Sequence, residues 1–88
     1  MINKTQTKLY GADWCEKTLA IKEFMDIHNV VYLYCDVDND EEALLKITNM
    51  NDGQVKIPIV IINNKILRNP SLAFLDQKLT ESGLLDLN

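Results

Sequence analysis

The sequence predicts an α/β domain in which a four-stranded mixed sheet is flanked by three helices, in the order β-α-β-α-β-β-α. Strand-like and helix-like hydrophobic patterns alternate along most of the chain, as expected of layered α/β proteins. Asn63-Asn64 separates two short apolar runs, and asparagine tolerates the positive φ that a two-residue hairpin requires, so the last two strands pair antiparallel. The chain has 88 residues and is 47% hydrophobic. A chain this short buries only roughly 60–65% of its unfolded surface and supports one core, so residues 1–88 are expected to form a single domain.

Thr5 to Tyr10 alternates weakly, Thr7 and Leu9 on one face and Lys8 and Tyr10 on the other, and Gly11 ends this first strand. From Glu16 to His28, Ala20, Ile21, Phe24, Met25, Ile27 and His28 recur at three- and four-residue steps, while Lys17, Lys22, Glu23 and Asp26 take the other side. That is an amphipathic helix ending near Asn29. Val30 to Val37 is β-branched and aromatic without polar alternation until Asp36, which predicts a strand covered on both faces. Asp38 or Asn39 then caps a second helix, with Leu44, Leu45, Ile47 and Thr48 inward and an end near Asn51-Asp52-Gly53. Ile59 to Ile62 is a buried strand and Lys65 to Arg68 its hairpin partner. Asn69-Pro70-Ser71 reads as an N-cap followed by proline at the first helical position, opening a helix from about Pro70 to Ser82 that turns Leu72, Leu75 and Leu79 inward. A β-α-β unit gives two parallel strands by a right-handed crossover, and the terminal hairpin adds two antiparallel ones. The result is a thioredoxin-like sheet.

Composition excludes several classes of function. The net charge of −4 argues against nucleic-acid binding, which needs clustered lysine and arginine to displace counterions. No apolar run approaches membrane-spanning length, and Met1 to Thr7 lacks the apolar core of a signal peptide. Two cysteines, Cys15 and Cys35, close at most one bridge, so a reducing cytoplasm is expected; the chain is also expected to be a monomer. The acidic run Asp36 to Glu42 lacks the glycine and distal glutamate of a calcium loop and reads as a solvated helix start. No metal site is expected.

The chemistry points to Tyr10-Gly11-Ala12-Asp13-Trp14-Cys15-Glu16-Lys17-Thr18, where a strand ends in a small-residue turn and a helix begins. A sulfur at a helix N-terminus meets unpaired N–H groups and the positive end of the dipole, both of which favour a thiolate, the reactive form of cysteine. With Cys15 as N-cap, Thr18 stands at N3. Its N–H can reach the thiolate and its hydroxyl adds a second hydrogen bond. Lys17 favours the same charge, and Asp13 and Glu16 oppose it. Cys35 sits among Leu33 and Val37 and is assigned to the core. Trp14 suits either the core or a lid over the site.

Trp14-Cys15 at a strand-to-helix junction, Lys56-Ile57-Pro58 opening a later strand and Asn69-Pro70-Ser71 opening the last helix together resemble the glutaredoxins, within them the mycoredoxin-like branch, over about Lys8 to Leu79. The resemblance implies thiol-disulfide exchange with a low-molecular-weight thiol, usually glutathione, as cosubstrate, and no bound cofactor. It makes Cys15 the nucleophile, Pro58 the cis-proline facing it, Ile57 the residue whose backbone binds the peptide part of the thiol, and Ser71 the helix start that meets a carboxylate. Asn69 and Pro70 would contribute to that surface. By their charge alone Lys17, Lys56 and Arg68 can attract a carboxylated thiol, the alternative for an exposed lysine being a merely solubilising role. Thr18 replaces the second cysteine of dithiol members, Ala12 a common lysine, and Arg68-Asn69 the Gly-Gly pair of glutathione-using members. Glu16 and Lys17 replace the Gly-Phe of the cluster-carrying class. The expected activity is monothiol reduction of mixed disulfides; the alternative is a non-catalytic thioredoxin-fold module that binds a thiol or a partner.

Overall fold

The computed structural model describes residues 7–85. It contains β1 (Thr7–Gly11), α1 (Glu16–Ile27), β2 (Leu33–Asp36), α2 (Glu41–Met50), β3 (Ile59–Ile62), β4 (Lys65–Arg68) and α3 (Leu72–Glu81). The sheet order is β2-β1-β3-β4, with β1 and β2 parallel and the other two pairings antiparallel. This is the thioredoxin-like α/β arrangement. The expected start of the first strand at Thr5 lies outside the described residues.

The alternation along β1 divides the core. Leu9 joins Ile21, Met25, Val60, Ile62, Leu75 and Leu79 beneath α1 and α3. Tyr10 joins Cys35, Val37, Ala43, Ile47 and Ile59 beneath α2. Both central strands are therefore apolar on both faces, which accounts for the unbroken run Ile59 to Ile62.

The strand over Val30 to Val37 is shorter than expected and lies at the sheet edge, beside β1 alone. It is not covered throughout: Val31 and Leu33 are exposed. Its tyrosines reconcile apolar character with an edge, since their rings pack on the core while Tyr32 and Tyr34 donate their hydroxyl hydrogens to Asp26 and Asp13, each at 2.8 Å.

Helix starts differ from expectation for a common reason. Asp36 uses its own carboxylate to accept from the Asp38 N–H (2.9 Å) and the Asn39 side-chain amide (2.7 Å), making a turn where a helix could have begun. The cap of α2 therefore passes to Asp40, whose Oδ1 accepts from the N–H groups of Glu42 and Ala43. Ala43 and Ile47 are its buried residues, while Leu45 faces solvent. Before α3, Asn69 has φ +49° and gives its N–H to Pro58 O at 2.8 Å. An N-cap needs extended geometry, and Ser71 supplies it, with Oγ accepting from Phe74 N–H. Neither Asn69 as cap nor Pro70 as first helical residue is what forms. The hairpin turn has positive φ at both Asn63 (49°) and Asn64 (74°), the conformation that matches the twist of β3 and β4.

Candidate active site

Cys15 is the N-cap of α1, with extended geometry (φ −91°, ψ 114°). Two backbone bonds fix it there: its N–H donates to Ala12 O and its C=O accepts from Leu19 N–H, both at 3.1 Å. The sulfur is half-buried. Burial raises the thiol pKa. It is outweighed by the Thr18 hydroxyl, the N–H groups of Thr18 and Lys17 and the Lys17 ammonium, which together hold the thiol below its ordinary value. In the resting thiol Cys15 Sγ accepts no capping hydrogen bond, and the fully buried Thr18 Oγ1 has no partner among the described residues. A charged sulfur is the stronger acceptor for that hydroxyl. Asp13 is engaged by the Tyr34 hydroxyl.

A cavity of about 410 Å³ opens beside Cys15. It is lined by Trp14 and Cys15, by Val55 to Ile59, and by Arg68 with Asn69. The Ile57–Pro58 peptide bond is cis. Ile57 makes no backbone hydrogen bond among the described residues, whereas Pro58 O is taken by Asn69. Trp14 is a rim residue, not a core one: it is 68% exposed and its Nε1–H donates to Asp38 Oδ2 at 2.9 Å. Arg68 reaches back from β4, donating through Nε to Asn51 Oδ1 (3.2 Å) and through its terminal nitrogen to Met50 O.

The structure thus brings Trp14, Cys15, Ile57, Pro58 and Asn69 together around one cavity. Lys17 and Thr18 do not line it and act on the sulfur from within α1. Pro70 is buried and Ser71 is exposed with its Oγ committed to capping, so neither contributes to the cavity wall. Val55 and Ile59 line the wall and carried no sequence signal beyond apolarity. Asp38, read from the sequence only as a candidate cap, holds Trp14 from 24 residues away. Cys35 is buried on the α2 side, its thiol pushed up by burial, and it borders a separate cavity of about 270 Å³.

The glutaredoxin family model matches residues 7–67, which includes Cys15 and Ile57-Pro58. The chain belongs to the glutaredoxin family. No curated protein matches it. Among solved structures it is similar to a mutant of the thioredoxin-like protein BC3987 (TM-score 0.78, 25% identity, covering 88% of this chain and 97% of that one). It is also similar to a buckwheat glutaredoxin-glutathione complex (0.69, 20% identity, 93% and 83%) and to the glutaredoxin grx-1 of Archaeoglobus fulgidus (0.65, 20% identity, 90% and 86%). Membership of the glutaredoxin family carries thiol-disulfide oxidoreductase-like function. Among the described residues, no helix is long and apolar enough to cross a membrane, and no group of three or more His, Cys, Asp or Glu is placed to hold a metal ion.

Proposed function

We propose that the chain is a single-domain monothiol glutaredoxin of the mycoredoxin-like branch, a cytoplasmic monomer that reduces mixed disulfides with glutathione or a similar small thiol. The observation that carries this reading is a cysteine at a helix N-terminus, with its thiol pKa lowered, opening on a cavity that Ile57-Pro58 also lines.

The Cys15 thiolate attacks the small-thiol sulfur of a mixed disulfide. The new S–S bond forms as the old one breaks, and the substrate thiolate leaves and takes a proton from water. A second molecule of small thiol, as thiolate, then attacks the small-thiol sulfur on Cys15, releasing Cys15 thiolate and the oxidised small thiol. The cycle is ping-pong and uses no second cysteine, which suits Thr18 in place of one and Cys35 buried elsewhere. Thr18 and the first turn of α1 stabilise the charge on Cys15 both as attacking group and as leaving group.

The small thiol would lie along the Val55–Ile59 wall. The N–H and C=O of Ile57, without a backbone partner among the described residues, can pair with its peptide part as an added strand does. Lys56 and Arg68 offer positive charge to its carboxylates, Trp14 covers it, and Asn69 lies beside it just before the α3 start. The buckwheat complex, a structural relative with glutathione bound, supports glutathione as the first candidate.

The test is turnover of a glutathionylated peptide with glutathione, comparing the parent with Cys15→Ser. Complete loss of turnover is expected in the variant. A parent that binds the small thiol and does not turn over would favour a non-catalytic binding module, and equal rates in the two proteins would overturn the reading.

A further inference from the structure

Gly11 ends β1 four residues before the reactive cysteine, and its backbone gives no reason for glycine. It is not in the left-handed region, unlike Gly53 (φ +85°) and Gly83 (φ +74°). The reason is space. A Cβ at Gly11 would stand 2.5 Å from Thr18 Oγ1 and 3.0 Å from Thr18 Cβ, with Thr18 Cγ2 closer still. Neither partner has room to yield. Gly11 is paired with Asp36 across the β1–β2 ladder and its C=O accepts from Val37 N–H at 3.0 Å. Thr18 is fully buried, and a β-branched side chain is stiff about χ1.

We propose that Gly11 is a positioning residue for Cys15: because it carries no side chain, Thr18 can pack against the end of β1 with its hydroxyl at the helix start, where the Cys15 sulfur is the acceptor it serves. The proposal rests on the reading of Cys15 as a thiolate nucleophile and adds a residue that touches neither sulfur nor substrate. A methyl at position 11 would displace Thr18 or the first turn of α1, and the thiolate would lose its buried hydroxyl donor. The second sign is that the buried Thr18 Oγ1 has no hydrogen-bond partner among the described residues, since an unpaired buried hydroxyl costs free energy unless an acceptor is supplied.

The experiment is the pH profile of Cys15 alkylation by iodoacetamide, read site by site by mass spectrometry, for the parent, Gly11→Ala, Thr18→Ala and the double variant. Gly11→Ala is expected to move the Cys15 midpoint upward, leaving about tenfold less thiolate at a fixed pH below it, the loss of roughly one hydrogen bond to a charged acceptor. Thr18→Ala should do the same, and Gly11→Ala should add nothing in the Thr18→Ala background. A folded Gly11→Ala protein with the parent's profile would overturn the proposal, as would an equal shift in both backgrounds. If Gly11→Ala does not fold, the comparison of Thr18→Ser with Gly11→Ala/Thr18→Ser reads the same coupling with less crowding; identical midpoints there would also overturn it. Because the readout is thiol acidity, a parent without reductase turnover would refute the proposed function and leave this result standing.

Discussion

Cys15 is half-buried, yet its thiol is held below the ordinary value because the donors of Thr18 and Lys17 outweigh the cost of burial. That sign has a consequence for stability. A thiol whose folded pKa lies below its unfolded one contributes stability that is fully present above the unfolded pKa and lost as pH falls through the folded pKa. Relative to Cys15→Ala, the parent's urea midpoint is therefore expected to rise with pH across that window and to run parallel below it. A constant difference at every pH would mean that the sulfur is not a charged group held by the fold. At this scale the sequence was informative about Cys15 and Thr18, because a helix cap is a local motif. It was silent on the bond from Trp14 to Asp38 and on the crowding of Thr18 against Gly11, because those depend on how β1, α1 and the turn after β2 come together.

Among the elements, the helix starts show which local signals compete. Asp36, Asp38, Asn39 and Asp40 are all capable caps, and the backbone decides among them: Asp36 closes its own turn first, and Asp40 is the next residue in extended geometry. Asp40→Ala is expected to destabilise the protein by about 1 kcal/mol in urea unfolding while leaving the Cys15 alkylation profile unchanged, since Asp40 lies outside the cavity beside Cys15. The two-residue hairpin was legible because Asn63 and Asn64 each tolerate positive φ. The edge position of β2 was not, because the run from Val30 to Val37 has the apolarity of a central strand. Its tyrosines supply that apolarity on a strand whose outer side no other strand of the sheet pairs.

Across the whole molecule, the two thiols occupy different environments, and the alternation of β1 decides which side each core serves. Cys15 opens on solvent at the strand ends, whereas Cys35 is 8% exposed beneath α2 with its thiol pushed up by burial. In the native protein one equivalent of a thiol reagent is therefore expected to react fast and at Cys15, with the second following only at the rate of opening or unfolding. Rapid labelling of both thiols would show that the α2 face opens readily. The succession of strands and helices along the chain followed from periodicity. The cavity itself did not, because its walls come from the turn after β1, the approach to β3 and the end of β4, brought together only by the antiparallel pairing of β1 with β3. One feature of that cavity turns the protein into its own indicator. Trp14 is the chain's single tryptophan, tethered by Asp38 at the rim beside Cys15. All indole fluorescence thus originates next to the reacting sulfur, and thiol capture or release at Cys15 can be followed as an optical signal without an attached label.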